Sequence, residues 1–401
     1  MLPVSEIRDQ FPIYKNKKDL IYLDSASTTQ KPQKVIDALA EYYSFYNANV
    51  HRALYEIGDI ATNEYEGVRN IVRKFFNVPD THEIIFTSGT TESINLVAYS
   101  WGMNSLNEDK GVLITEMEHH SNLVPWQIVT EKTSSPLKYI SINRDGTLDL
   151  TNLNSLLENS GIVAVVHQSN VFGTINPIRE IIDAAKSKNI ITLVDGAQAA
   201  PHFPVDISKI DCDFYTFSGH KMVGPTGAGV LIGRKSLLED MNPFMGGGEM
   251  INMVELEKSS WNEVPWKFEA GTPNIAQVIG LGEGLNFLSE IGMQKIKEHE
   301  DFLLKYALEA LSEIDGIKLY GDPALRGAVV PFNIDNIHSH DLAKFVDTDN
   351  ICIRAGHHCA QPIMNALGIS SSARASFYIY NDTQDIDLLI KSIKKTVKIF
   401  S

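Results

Sequence analysis

Apolar and polar positions along this chain follow two periods. Short runs rich in Val, Ile, Leu and Phe recur at 84–87, 112–115, 161–167, 190–195, 214–218 and 228–232. Turn-forming or polar residues bound each run, so each predicts a short buried strand. The stretches between them read as helices, the first over 92–100. Strands alternating with helices predict a mostly parallel sheet covered on both faces. From about 279 to 314 the period changes. Leu281, Leu285, Leu288 and Ile291 fall three or four apart, predicting a long helix that leads into a second, smaller unit. That unit holds predicted strands at 327–334 and 351–355 and closes with a helix over 386–399. The organisation read from the pattern is an N-terminal arm (1–20) packing on the small domain, a large domain (21–285) and a small C-terminal domain (286–401).

Composition narrows the function. The 401 residues are 43% hydrophobic and 21% charged, the balance of a folded chain rather than a disordered one. Fifty acidic residues against 35 Lys and Arg give a net charge of −15, which argues against nucleic acid or an anionic membrane as partner. Apolar runs are too short to span a bilayer, and Glu6 and Asp9 interrupt any signal-like start. A cytoplasmic protein is expected. Three cysteines, Cys212, Cys352 and Cys359, make no disulfide framework and read as reduced thiols.

The densest chemical signal is Thr216-Phe217-Ser218-Gly219-His220-Lys221, followed by Gly224-Pro225-Thr226-Gly227. A lysine there fits a surface loop, or a Schiff-base lysine that holds pyridoxal phosphate with Ser218 and His220 near the phosphate. A second signal bears on that choice. The apolar run 191–194 ends in Asp195-Gly196-Ala197-Gln198, and an acid at the carboxyl end of a buried parallel strand points into the ligand crevice of α/β proteins. A pyridoxal ring needs such a carboxylate against its pyridine nitrogen; in isolation, Asp195 fits a helix cap as well. Thr87-Ser88-Gly89-Thr90-Thr91-Glu92, between strand and helix, suits either an N-cap or an anion site. It matches neither dinucleotide nor nucleoside-triphosphate fingerprints. The histidine pairs in Glu118-His119-His120 and Gly356-His357-His358-Cys359 lack metal-ligand spacing. His119, just past a strand, is better used as a ring stacked on a planar cofactor. Cys359 lies five residues after Arg354 in a polar, Gly/His-rich segment suited to a reactive thiol, whereas Cys212 and Cys352 read as ordinary buried thiols.

Together, Asp195-Gly196-Ala197-Gln198, Ser218-Gly219-His220-Lys221 and Arg354-Ala355-Gly356-His357-His358-Cys359-Ala360 resemble the Suf-type, second group of cysteine desulfurases among the class V aminotransferase-like pyridoxal enzymes. The likeness runs from Leu23-Asp24-Ser25-Ala26 to Arg374-Ala375-Ser376, and Gly246-Gly247-Gly248-Glu249 supports it. It implies an α/β protein of the fold type I pyridoxal-phosphate transferases, with a mostly parallel, seven-stranded large-domain sheet and a smaller α/β C-terminal domain. By the same resemblance, Lys221 is the Schiff-base lysine, Cys359 the persulfide-forming cysteine and His119 the stacking, proton-moving histidine. Asp195 and Gln198 are the partners of the pyridine nitrogen and phenolic oxygen. Thr90, Thr91, Ser218 and His220 are phosphate ligands, joined by Thr272 from the other subunit of a homodimer. Arg374 and Asn170 hold the substrate carboxylate, and Arg354, His51 and Arg52 line the pocket. The implied reaction takes L-cysteine to L-alanine and passes sulfane sulfur to an acceptor of SufE or SufU type for iron–sulfur cluster assembly. Selenocysteine lyase, acting on L-selenocysteine, is the alternative. No metal is implied.

Overall fold

Alternation explains the apolar runs. In Ser160–Val166 every residue is buried. Val163 and Val165 join one hydrophobic core while Ile162 and Ala164 join another, because successive side chains of a strand leave on opposite faces. A strand sandwiched this way is apolar along its length, and the one polar side chain, Ser160 at its start, is hydrogen-bonded to the Leu156 carbonyl. The computed structural model, which describes residues 1–400, builds a seven-stranded sheet from such runs. Its order is His82–Thr87, Gly229–Arg234, Phe214–Ser218, Ile191–Asp195, Ser160–Val166, Gly111–Thr115, Leu137–Ile140. Gly229–Arg234 is antiparallel to both neighbours and every other pair is parallel. Asp195 therefore ends the central strand, in register with Val166 on one side and Thr216 on the other.

Helices Gln33–Phe45 and Glu56–Phe75 pack against Ile275–Ile291 over the larger core. Thr90–Val97 and Val124–Thr133 cover the opposite face, with Trp126 fully buried. A second, four-stranded antiparallel sheet has the order Ile317–Leu319, Val329–Ile334, Ser372–Ser376, Arg354–Gly356. Leu303, Leu342 and Leu389, from helices Met293–Ser312, Ser339–Asp347 and Thr383–Phe400, close its core. The N-terminal arm sits where the two cores meet. Phe11 packs edge-on against Phe287 and Tyr380, and Arg8 pairs with Asp385 at 2.5 Å. Among the described residues no helix is long and apolar enough to cross a membrane.

The elements depart from the periodic reading in three places. The helix predicted over 279–314 is two helices, Ile275–Ile291 and Met293–Ser312. Gly292 breaks it at φ +92°, a conformation side-chain-bearing residues avoid. The predicted strand 351–355 also divides. Ile351–Cys352 pairs in parallel with Ile21–Tyr22, while Arg354–Gly356 turns to join Ser372–Ser376. The predicted helix 92–100 begins at Thr90, ends at Val97, and gives way to a π-helical turn over Ala98–Gly102.

Candidate active site

The carboxyl ends of the central strands open on one cavity. It is lined by Thr90, His119, Asn170, Asp195, Gln198, Lys221 and Arg354, among others. Topology brings most of them there: Thr90, His119, Asn170, Asp195 with Gln198, and Lys221 end or follow five strands of the large sheet, which release their loops on the same edge, while Arg354 reaches in from the smaller sheet.

Asp195 is only 2% exposed, and Oδ1 accepts a single bond, 2.9 Å from the Ala197 amide. Burial pushes its pKa up; the Ala197 N–H and the Lys221 charge pull it back. A buried carboxylate so thinly partnered calls for a cationic or N–H donor. Gln198 donates one amide hydrogen to the Ala26 carbonyl at 2.6 Å, leaving a second N–H. Gln198 Oε1 and Asn170 Oδ1 are buried without a hydrogen-bond partner. Unsatisfied polar atoms around one cavity are the mark of a missing polar ligand. These residues fit pyridoxal phosphate, which offers a ring N–H, a phenolic oxygen and a phosphate.

The Thr90–Ser218 side of the cavity is equally specific. Ser218 Oγ accepts from the Thr90 amide at 2.9 Å and donates to Thr90 Oγ1 at 2.9 Å, at the amino end of helix Thr90–Val97. Gly229 lets Gly89 come close: a Cβ on Gly229 would stand 2.3 Å from Gly89 Cα. Thr91 Oγ1 lies 2.7 Å from Ser121 Oγ, and His220 Nδ1 lies 3.2 Å from Thr28 Oγ1. The helix terminus and its hydroxyls form an anion-binding surface.

Lys221 follows on a single 3-10 turn, Gly219–Lys221. Burial, reinforced by the charges of Arg374 and Arg354, pushes its pKa down to about 8 against the pull of Asp195. His119 is pushed down to about 3 by burial and then by the charge of Lys221, so its ring is neutral at physiological pH. The Ser121 amide donates to His119 Nδ1 at 3.1 Å. A neutral ring that accepts at Nδ1 carries its proton on Nε2.

Cys359 is held at the same edge. Its carbonyl accepts from the His120 amide at 2.8 Å, and the preceding His358 carbonyl accepts from Asn170 Nδ2 at 2.7 Å. Arg354 Nη2 donates to Cys359 Sγ at 3.3 Å. His358 and Cys359 both adopt left-handed backbone, φ +54° and +56°. Two consecutive non-glycine residues in that region store strain of a kind concentrated at functional sites. Arg374 is fully buried behind Arg354, donating to Asn170 O, Asp24 Oδ1 and Ser27 Oγ, with Nε unpartnered.

Cys359 and Arg374 adjoin this cavity through Arg354 and Ser27 without lining it, and the single chain places Thr272, His51 and Arg52 away from it. Thr272 is exposed and lines a separate one with Tyr65, Phe86 and Glu92. His51 Nε2 lies 2.8 Å from Glu66, and Arg52 binds Glu249. Both regions meet at Arg69, which bridges Glu66 to Glu269, just before Thr272. Of the other cysteines, Cys212 is buried, but Cys352 is only half-buried because its strand lies beside Tyr22 at a two-stranded edge. Sequence reasoning missed Ser27, Ser121 and Lys31. Lys31 Nζ donates to the His220 carbonyl at 2.8 Å, and burial pushes its pKa down to about 7. Only their nearness to quoted motifs could have flagged them.

Comparison with known proteins gives a consistent result. Residues 21–389 match the aminotransferase class-V family. The chain is 51% identical over 399 residues to a probable cysteine desulfurase of Halalkalibacterium halodurans, covering 98% of each chain. It is 43% identical over 416 residues to a cysteine desulfurase of Haloferax volcanii, covering 99% of this chain and 98% of that one. Among solved structures, the cysteine desulfurase CsdA of Escherichia coli, in an S-sulfonic acid form, superposes with a TM-score of 0.93 at 36% identity, covering 100% of both chains. The apo cysteine desulfurase of Thermococcus onnurineus gives 0.94 at 38% identity, covering 99% of this chain and 98% of that one.

Proposed function

Because the chain belongs to the aminotransferase class-V family, we infer that it is a pyridoxal-phosphate-dependent cysteine desulfurase that takes L-cysteine to L-alanine and carries the sulfur as a persulfide on Cys359. One observation carries this reading. A lysine of lowered pKa and an under-partnered buried carboxylate line a cavity whose wall arginine also grips a cysteine.

When bound, the cofactor supplies an electron sink for the bonds at the substrate α-carbon. Asp195 would face the pyridine nitrogen, and the spare N–H of Gln198 the phenolic oxygen. Thr90, Thr91, Ser218 and His220 would hold the phosphate, and the neutral ring of His119 would stack on the cofactor. Lys221 Nζ, with a pKa of about 8, exchanges its proton readily near neutrality. His119 holds a movable proton on Nε2. Asn170 and Arg374 would hold the substrate carboxylate. Cys359 Sγ, as the thiolate, attacks the sulfur of the bound L-cysteine: the new S–S bond forms as the substrate's Cβ–S bond breaks, the bonding pair passes to the three-carbon remainder, and a proton taken up at Cβ lets it leave as alanine.

The same reading assigns the protein to the Suf group, in the cytoplasm, as a homodimer. Thr272, His51 and Arg52 then reach the partner subunit's cavity, and the exposure of Thr272 supports that assignment. A SufE- or SufU-type acceptor would take the sulfur towards iron–sulfur cluster assembly. The test is to incubate the cofactor-loaded protein with L-cysteine, quantify alanine, and locate the added sulfur by peptide mass. Alanine together with sulfur on the Cys359 peptide is expected. Sulfur on Cys212 or Cys352 instead, or no alanine, overturns the assignment.

A further inference from the structure

Arg354 and Arg374 stand directly opposite one another on adjacent antiparallel strands. Two cations in that relation repel and are normally destabilising. The structure resolves the conflict through one hydroxyl. Ser27 Oγ accepts from Arg354 Nη1 at 2.9 Å and from Arg374 Nη2 at 2.8 Å, and it donates its single hydrogen to Asp24 Oδ1 at 2.7 Å. A serine hydroxyl has one donor and two acceptor sites, so its capacity is filled. Asp24 closes the network by accepting from Arg374 Nη2 at 2.9 Å.

Arg374 has other anchors, Asp24 and the Asn170 carbonyl, and is fully buried. Arg354 has fewer. Its side-chain hydrogen bonds go to Ser27 Oγ through Nη1 and to Cys359 Sγ through Nη2. Ser27 itself lines the cavity. Without its oxygen, Arg354 would lose a fixed acceptor, still face the charge of Arg374, and turn toward the open side of the cavity.

We propose that Ser27 is a positioning residue: its hydroxyl fixes the Arg354 guanidinium against Cys359 Sγ and so sets the charge felt by an incoming group at that sulfur. The inference deepens the reading of Cys359 as the sulfur acceptor and rests on it for its biological meaning. The geometric claim stands on the Asp24–Ser27–Arg354–Cys359 chain of contacts alone.

The test compares two alkylating reagents on Cys359 in the cofactor-loaded protein, anionic iodoacetate and neutral iodoacetamide. A cation held beside the sulfur accelerates the anionic reagent selectively. Removing one such charge from a partly solvated site should lower the iodoacetate-to-iodoacetamide rate ratio by about fivefold. Ser27→Ala should show that fall, Ser27→Thr should restore the ratio, and Arg354→Gln should reproduce the fall. Adding Ser27→Ala to Arg354→Gln should change nothing further, because the two act through one contact. An unchanged ratio in Ser27→Ala, or a further fall in the double variant, overturns the proposal. If Ser27→Ala does not fold, Ser27→Val takes its place beside Ser27→Thr, since the two differ only at the hydroxyl: an equal ratio in Ser27→Val and Ser27→Thr overturns the proposal. The failures are separable: a ratio that falls as stated while L-cysteine leaves no sulfur on Cys359 refutes the desulfurase reading alone.

Discussion

Replacing Arg69 by Met should cost the fold far more than any surface change. Arg69 lies on helix Glu56–Phe75 and is only 8% exposed. It grips Glu269 with two parallel bonds, 2.9 and 2.7 Å, reaches Glu66 at 2.7 Å and donates to the Ile84 carbonyl at 2.7 Å. Glu269 in turn accepts from the Phe86 amide at 2.7 Å and the Tyr65 hydroxyl at 3.1 Å. Removing the guanidinium strands a buried carboxylate with two neutral donors. Breaking one side of such a pair costs about 3–5 kcal/mol. Replacing both partners removes the stranded Glu269 charge and leaves the lost bonds of Ile84, Phe86 and Tyr65, each worth about 1–3 kcal/mol if left unsatisfied, while Glu66 loses Arg69 but keeps His51 and Trp266. The Arg69→Met, Glu269→Met double variant should therefore lose clearly less than the sum of the two single losses. Urea unfolding of the four proteins, followed by far-UV circular dichroism, measures the cycle. A loss under about 1 kcal/mol for Arg69→Met, or simple additivity, would refute the assignment of a charge-dependent core.

Two further outcomes are expected. Apoprotein should recapture pyridoxal phosphate through the neutral Lys221 amine, so the initial rate should rise with pH around a midpoint near 8 and then level off, the sign that follows from a pKa lowered by burial. Stopped-flow absorbance reads it, and a midpoint near the ordinary lysine value of 10.5 would exclude the buried setting. Gly229→Ala should drive a Cβ to within 2.3 Å of Gly89 Cα, where backbone rather than a flexible side chain must yield. The displaced Gly89 would disturb the Thr90–Ser218 contact; overpacking of this kind costs about 1–3 kcal/mol, and spectrophotometric titration should show cofactor affinity falling at least about tenfold. Unchanged affinity would sink that prediction.

The chain announced its sheet but not every joint in it. Strands 161–167, 190–195 and 214–218 were legible because burial on both faces keeps their interiors apolar, apart from the hydrogen-bonded Thr192 and Thr216. Leu137–Ile140 escaped notice because it is a short edge strand in which Lys138 interrupts the apolar run and Tyr139 is exposed. The split of 279–314 hinged on one glycine, Gly292, whose neighbours keep the helical period. At the site, Asp195, Lys221, His119 and Cys359 stood out by residue type and motif. Ser27 did not, since a serine in a turn has many ordinary uses and its role arises from strands more than three hundred residues away. Thr272 was named through the family resemblance alone, since nothing local distinguishes it from other loop threonines.

The pairing of Ile21–Tyr22 with Ile351–Cys352, and of Asp24 with Arg374 some 350 residues later, has a consequence for how the protein is born. On a ribosome adding about 5–20 residues per second, tens of seconds separate the emergence of these partners. The seven-stranded sheet, complete by Arg234, is available to fold in that interval. The arginine cluster and the cysteine it grips are not. The strands that carry Asp195 and Lys221 come early, yet on the role proposed for Cys359 the thiol chemistry waits for the last strands and for the early segment to find them. A nascent or C-terminally truncated product would thus carry Asp195 and Lys221 without Arg354, Cys359 or Arg374, and on the role proposed for Cys359 it would lack the means to move sulfur.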